Sequence, residues 1–253
     1  MINLATKLNG LDIPHDASIL IHSAFRQIAR EGFTPDTVIE TILNYFSSGT
    51  VLMPTMSWRY VNPEKATFDE ISTPSNTGIL SEFFRTDYAI RRSLHPTHSV
   101  AGYGKNVNWF LNEHHLDATP CSVRSPFGKI IDADGWILML GIGFDCCTLI
   151  HHCEELVAPE IYLKSPAETE IYTCIDRYNI NHSVKLQRHL LLKRDYWQFQ
   201  DQLAVQGSLK LVYWGSVICR VFRARDLFEI TMKSLKKQKK AILAKPCQRY
   251  RRM

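Results

Sequence analysis

The sequence predicts one α/β domain over residues 1–232, followed by a basic segment at 233–253. Three observations carry this expectation. Strand-like and helix-like segments alternate along the chain, the pattern of an α/β domain. Gly135-Trp-Ile-Leu-Met-Leu-Gly141 is an apolar run of strand length with glycine at each end, and it reads as a buried strand. No repeat, low-complexity linker or composition break interrupts the chain before residue 233.

The elements follow in order. Ser18-Ile-Leu-Ile-His-Ser23 is a short apolar strand that runs into Phe25–Arg30, and Gly32 breaks the chain there. Thr34-Pro35-Asp36 starts a helix, with a hydroxyl cap, proline in the first turn and an acid at the positive helix end. Val38, Ile39, Ile42, Leu43 and Phe46 continue it at helical spacing until Gly49. Thr50–Pro54 reads as a second strand, 57–76 as a long loop, and Thr77–Arg85 as a helix. After the polar segment Arg91–Ser99, Val100–Tyr103 is strand-like and Val107–His115 is helical. Ser122–Gly128 is turn-rich, and Thr148–Val157 is a helix packed behind the buried strand. The stretch 159–200 is mixed, Val212–Phe222 suits a strand or the start of a helix, and Asp226–Ala244 is helical.

Composition narrows the function classes. With 253 residues, 45% of them hydrophobic, the chain can bury a full core, and 22% charged residues is no disordered composition. Net charge is +5, yet residues 233–253 hold nine Lys/Arg and no Asp/Glu. The body therefore carries 21 basic and 25 acidic side chains, a net of −4, so the overall charge says nothing about a site. A basic tail suits nucleic acid or anionic lipid, and equally a solvated helix end. The seven cysteines, odd in number and with Cys146 and Cys147 adjacent, read as free thiols of a cytoplasmic protein. The opening residues lack the charged and apolar regions of a secretory signal, and no apolar run reaches membrane-span length. Cys147 and Cys153 bracket His151 and His152, but no C-x-x-C pair completes a ligand set, so no metal is expected.

Three segments could carry chemistry. In Thr148-Leu-Ile-His151-His-Cys-Glu154, His151 and Glu154 share a helix face, and a carboxylate beside an imidazole is the usual shape of a general base. The same spacing also suits a surface ion pair of small value. His95-Pro-Thr-His98-Ser99 sets two imidazoles and two hydroxyls just before a strand, and it reads as a ligand-contacting loop or as a polar loop with incidental histidines. His22-Ser23-Ala24-Phe25 ends a strand, where backbone N–H groups can meet carbonyl or phosphate oxygens, or merely form a junction. Neither a P-loop nor a G-x-S-x-G elbow is present. Cys147 beside His151 admits a thiol-nucleophile reading as well as that of a buried small hydrophobe.

Taken together and in order, these segments resemble the aminoglycoside 3-N-acetyltransferase family. The match runs from Ile21-His-Ser23 through Gly49–Thr55, Thr77–Glu82 with Arg85, Arg92–Ala101, Ser125-Pro-Phe-Gly128 and Leu140–Gly143 to Thr148-x-x-His151-x-x-Glu154. It covers roughly residues 18–230, outside the basic tail. The resemblance implies a three-layer α/β/α single domain with a mixed sheet. It also implies direct acyl transfer from acetyl-CoA or another acyl-CoA to a sugar amine, without metal. His151 would be the catalytic base, with Glu154 or Glu168 as the acid that orients it. The acyl-CoA side would involve His22, Ser23, Ala24, Phe25, Arg26, His98, Ser99 and Val100. The acceptor side would involve Trp58, Arg92, His95, Thr97, Thr148 and Tyr172. Partners would be small molecules, with neither nucleic acid nor membrane, and a homodimer is one assembly the family allows.

Two departures bear on the acceptor. Ala24 stands where the family has a second serine. Between 159 and 200, Lys164, Arg177, Lys185, Arg188, Lys193 and Arg194 interleave with Tyr162, Tyr172, Tyr178, Tyr196 and Trp197, which suits a nucleobase and pyrophosphate better than a polycation. Glu160, Glu168, Glu170 and Asp176 in the same stretch temper that argument. The acceptor expected from sequence is therefore a nucleotide-linked amino sugar of surface-polysaccharide synthesis. The alternative is an aminoglycoside acetylated by a resistance enzyme.

Overall fold

The computed structural model describes residues 4–245. Its centre is a seven-stranded mixed sheet. Three parallel strands form the middle: β1 (Ser18–Ser23) lies between β2 (Thr50–Pro54) and β6 (Trp136–Leu140). β5 (Val100–Gly104) and β4 (Arg91–Arg92) extend the β2 side, and β10 (Val217–Arg223) and β9 (Lys210–Trp214) extend the β6 side, all pairing antiparallel.

Successive side chains of a strand point to opposite faces, and here both faces are buried. Leu20, Leu52, Ile137 and Met139 enter one core with α5 (Val107–Leu111), α6 (Pro126–Asp132), α7 (Leu149–Val157), α9 (Trp197–Val205) and α10 (Ala224–Lys237). Ile19, Ile21, Val51, Met53, Leu138 and Leu140 enter the other with α1 (Leu4–Asn9), α2 (Phe25–Arg30), α3 (Pro35–Tyr45) and α4 (Ile79–Phe83). Continuous apolar runs such as Trp136–Leu140 are what a strand covered on both faces requires. The expected three-layer α/β/α architecture with a mixed sheet is the observed one.

Local signals behave as their chemistry dictates. Thr34 Oγ1 accepts from Thr37 N and Pro35 opens α3. Ser125 Oγ accepts from Gly128 N and Pro126 opens α6, so the turn-rich stretch 122–128 is the capped entry to a helix. Residues 210–223 form a hairpin rather than a helix start, turning at Gly215 with φ of +64°. The loop read at 57–76 contains β3 (Thr67–Asp69), which joins β7 (Glu170–Ile175) and β8 (Asn181–Leu186) in a separate three-stranded sheet. Phe68, Tyr172 and Val184 form that sheet's own small core.

The boundary read at 232/233 falls inside α10. Ile242 is buried, its carbonyl accepts from Asp195 N, and the carbonyl of Lys239 accepts from the Tyr162 hydroxyl. Residues 246–253, the rest of the basic segment, lie outside the described residues. Among the described residues no helix is long and apolar enough to cross a membrane.

At Gly104 φ is +114°, and a Cβ there would lie 2.3 Å from the carbonyl oxygen of Gly49. Gly104→Ala should therefore destabilise the fold by about 2 kcal/mol or more, through the disfavoured backbone conformation and the clash across β2 and β5. Urea titration measures this, and an unchanged midpoint would refute the argument.

Candidate active site

Parallel pairing brings the carboxyl ends of β1, β2 and β6 to one edge of the sheet, the edge at which open α/β sheets form ligand crevices. A cavity of about 340 Å³ opens there. His22 and Ser23 line it from the end of β1, Pro54 from the end of β2, Met56 from just beyond it, and Ile142, Asp145 and Cys146 from the loop after β6. Trp58, 43% exposed, and Asn76 contribute from the long loop, and His98 from the segment before β5. A Cβ at Gly143 would approach Asp145 Oδ1 to 2.5 Å and the Trp197 ring to 2.6 Å, so only glycine fits that turn as built.

α7 supplies the chemistry. Leu149, Ile150 and Cys153 anchor the helix in the core, and the remaining face carries Thr148 and His151 to the cavity. One helical turn on, Glu154 is fully buried and its Oε2 lies 2.8 Å from His151 Nδ1. Arg194 Nε donates to Glu154 Oε1 at 2.8 Å, and the Tyr196 hydroxyl donates to the same oxygen at 3.2 Å. Burial by itself would raise the Glu154 pKa. The facing His151 and Arg194 outweigh it and hold the carboxyl at about 2, so it is ionised. An ionised Glu154 fixes the proton of neutral His151 on Nδ1 and leaves the Nε2 lone pair as the basic position of a ring that lines the cavity.

Of the residues singled out from sequence, His22, Ser23, Trp58, His98, Thr148 and His151 meet in this cavity, with Glu154 directly beneath. His22 is buried, and burial lowers its pKa to about 4. Several others are placed elsewhere. Glu168 does not orient His151: its carboxylate accepts from Ser165 N and caps its own short turn. Tyr172 is buried in the small sheet with its hydroxyl on Glu170, away from the cavity. Arg92 is buried and bound to Ser99 Oγ and to the carbonyls of Thr55 and Thr73, tying the 73–77 segment to the sheet. His95 is fully buried and its Nδ1 accepts from the backbone N–H groups of Thr97 and His98, so it shapes the loop that presents His98. Thr97 Oγ1 pairs with His98 Nδ1 at 2.8 Å, Ser99 donates to Thr55 O, and Val100 is core. Ala24 N donates to Leu140 O and so links β1 to β6, and Phe25 packs on the opposite core. Arg26 lies on the first turn of α2 and is not part of the cavity wall.

Sequence reasoning missed the roles of Arg194 and Tyr196, which were visible only as part of a basic, aromatic stretch. Four of the six cations of that stretch are taken up by carboxylates: Lys164 and Arg188 on Glu170, Arg177 on Glu70, and Arg194 on Glu154. This weakens the charge argument for a pyrophosphate. Asp145, the carboxylate on the cavity wall, was also missed. Cys147 is fully buried, and burial pushes its thiol up to about 12, which is unsuited to a nucleophile. Among the described residues, two triads, Cys121–Glu155–His189 and His151–Glu154–His189, bring donor atoms within 4.8 Å of one another. In both, the carboxylate is already engaged, Glu154 by Arg194 and His151, Glu155 by Thr119, Cys121 N and His189.

Residues 20–236 match the family model described as aminoglycoside 3-N-acetyltransferase. The chain is 25% identical to the SPbeta prophage-derived aminoglycoside N(3')-acetyltransferase-like protein YokD of Bacillus subtilis (strain 168), over 91% of this chain and 90% of that one. It is 26% identical to aminoglycoside N(3)-acetyltransferase IV of Salmonella sp, over 99% and 92%. The structure of the YokD protein superposes with a TM-score of 0.78 at 20% identity, covering 93% of each chain. That of AAC-IIIb, described as a binary complex with CoASH, superposes with a TM-score of 0.78 at 23% identity, covering 97% of each. These findings overturn the expectation of a nucleotide-linked amino sugar and of a role in polysaccharide synthesis. They favour the alternative reading, because the matched family and its curated relatives are named for aminoglycosides.

Histidines held neutral by burial in and around the site give it a pH signature. Burial holds His22 at about 4 and His114 at about 3, and holds His95 and His98 well below the ordinary value. Their folded pKa values lie below the unfolded one, so below about pH 6.5 the unfolded chain binds protons that the native state refuses. Stability should be fully present above about pH 6.5 and fall as pH drops toward 4. Melting temperatures recorded across that window test this, and a flat or rising Tm on acidification would contradict it.

Proposed function

Because this chain belongs to the aminoglycoside 3-N-acetyltransferase family, we propose that it transfers an acetyl group from acetyl-CoA to the N(3) amine of an aminoglycoside, with His151 as general base. The observation that carries this reading is the His151–Glu154 hydrogen bond of 2.8 Å, made by an imidazole that lines a cavity at the carboxyl ends of parallel strands.

The chemistry runs as follows. A sugar ammonium has no lone pair and must first lose a proton to solvent. The neutral amine then attacks the thioester carbonyl carbon. As the N–C bond forms, the amine gives a second proton to His151 Nε2, and Glu154 stabilises the resulting imidazolium through Nδ1–H. The oxyanion reforms the carbonyl, the C–S bond breaks, and the CoA sulfur leaves as thiolate and is protonated. Ser23 lines the cavity, and α2 opens just beyond it without a side-chain cap. Its first N–H groups are therefore candidate donors for the developing oxyanion. Holding amine and thioester together supplies much of the remaining rate. Asp145 places a carboxylate on the wall for a second ammonium of a polycationic acceptor. Trp58 at the mouth offers a flat apolar face to a sugar ring. Acetyl-CoA and the acceptor are small-molecule co-substrates, and no step calls for a metal.

The test is thiol release from acetyl-CoA with a panel of aminoglycosides and nucleotide amino sugars. Aminoglycosides should support turnover. His151→Ala should lower kcat by at least about a hundredfold, the scale of general acid–base contributions, with KM for acetyl-CoA within a few fold of wild type. Near-normal turnover in that variant would remove the base, and turnover of nucleotide sugars alone would remove the acceptor.

A further inference from the structure

Beneath the His151–Glu154 pair lies a second imidazole–carboxylate pair that the reaction above does not use. Glu155 follows Glu154 on α7, and His189 comes from the segment after β8. Glu155 Oε1 lies 2.7 Å from His189 Nε2 and accepts from Cys121 N at 2.8 Å, and its Oε2 accepts from Thr119 Oγ1 at 2.6 Å. Both side chains are nearly closed to solvent, at 4% exposed for Glu155 and 8% for His189. The His189 ring is centred 4.3 Å from that of His151, and its Nδ1 lies 3.6 Å from Glu154 Oε2, buried and without a closer polar partner.

The charges of this cluster do not balance as heavy atoms alone. Glu154 has Arg194, but among the described residues Glu155 has no Lys or Arg partner, and the nearby Arg188 and Lys164 pair with Glu170. With His151 neutral, an ionised Glu155 beside a neutral His189 leaves one uncompensated buried negative charge. It also turns the Nδ1 lone pair of His189 toward the Glu154 carboxylate, which is repulsive. One added proton removes both faults. On Glu155, it is donated to His189 Nε2 and forces the ring hydrogen onto Nδ1. On His189, both nitrogens carry hydrogen. In either placement an N–H points from Nδ1 at Glu154.

We propose that Glu155 and His189 form a second, proton-holding dyad that presents His189 Nδ1–H to Glu154 and, on losing its proton to solvent by way of Thr119, strengthens His151 as a base. Both are positioning residues: they act through Glu154 and the electrostatics of His151. Burial pushes the Glu155 carboxyl up to about 7 despite its bonds to Thr119 and Cys121 N, while burial and the neighbouring His151 hold the His189 imidazole well below its ordinary value. The resting proton therefore belongs mainly to Glu155, and the pair titrates as a unit.

The surrounding titratable groups are few. On α7 they are His151, His152 and Glu154. The 189–196 segment adds Arg194 and Tyr196, and Arg188 precedes it. The segments before α6 add Asp117 and the Cys121 thiol, and His98 lies 6.3 Å from His189, ring to ring.

The inference rests on His151 being the base, so its test has an arm that needs no turnover. In 15N spectra of imidazole-labelled wild-type protein without substrate, His189 Nδ1 should be protonated below pH 7, with a titration near pH 7 that is absent in Glu155→Gln. An unprotonated Nδ1 throughout would overturn the dyad whatever the enzyme acetylates. In the kinetic arm, Glu155→Gln keeps an amide donor for His189 but cannot ionise. Its kcat/KM should match wild type within about twofold at pH 6 and fall about threefold to tenfold below it at pH 8.5, the effect of removing one nearby charge. Glu155→Asp should recover most of the difference. A loss equal at all pH values, or none, would refute the tuning role. A retained His189 titration in an enzyme indifferent to His151→Ala would instead overturn the base assignment and, with it, the role of this pair.

Discussion

The structure around this site depends on keeping one carboxylate, Glu154, ionised in the protein interior. A lone buried carboxylate would take up a proton, and a protonated Glu154 could no longer dictate the tautomer of His151. Arg194 prevents this with a 2.8 Å charge-assisted hydrogen bond, and Tyr196 adds a third donor. The imidazole is thus aimed from below by a charge that is itself fixed from the side. Arg194 is held in turn, its guanidinium donating to the carbonyls of Leu190 and Leu192. Removing Arg194 would therefore act on His151 without touching it.

The fold makes that arrangement affordable. The carboxyl ends of β1, β2 and β6 meet at one sheet edge, where β1 delivers His22 and Ser23 from an apolar strand. α7 crosses behind this edge, packed on α10 and α6, so its single cavity-facing turn is fixed by apolar contacts on its other sides. Behind the cavity, His95 stacked on His114 and Arg92 on three carbonyl and hydroxyl partners brace the segment that presents His98.

Much of this was legible in the sequence because it is local. Thr34-Pro35-Asp36 specifies its own cap, Trp136–Leu140 its own burial, and His151 and Glu154 meet because a helix returns every third or fourth residue to one face. What escaped was long-range. Arg194 reaches Glu154 across 40 residues, and His189 reaches Glu155 across 34. No periodicity reports such pairs. Polar residues also misled where the fold buries them for its own sake. His95 and Thr97 look like ligand contacts in sequence but brace a loop, Glu168 caps a turn, and Tyr172 fills the core of a small sheet whose first strand is only three residues long. The basic stretch at 159–200 misled in the same way, since Lys164, Arg177, Arg188 and Arg194 are neutralised by carboxylates that only the folded chain brings to them.

Base catalysis by His151 requires the acceptor amine to lie against its ring when both co-substrates are bound. A crystal structure of the protein with CoA and an aminoglycoside addresses this directly. The N(3) nitrogen should lie within hydrogen-bonding distance, about 3 Å, of His151 Nε2, with the CoA sulfur beside it and Glu154 still on Nδ1. An aminoglycoside bound with that nitrogen away from His151, or a CoA sulfur that does not reach the cavity, would contradict it.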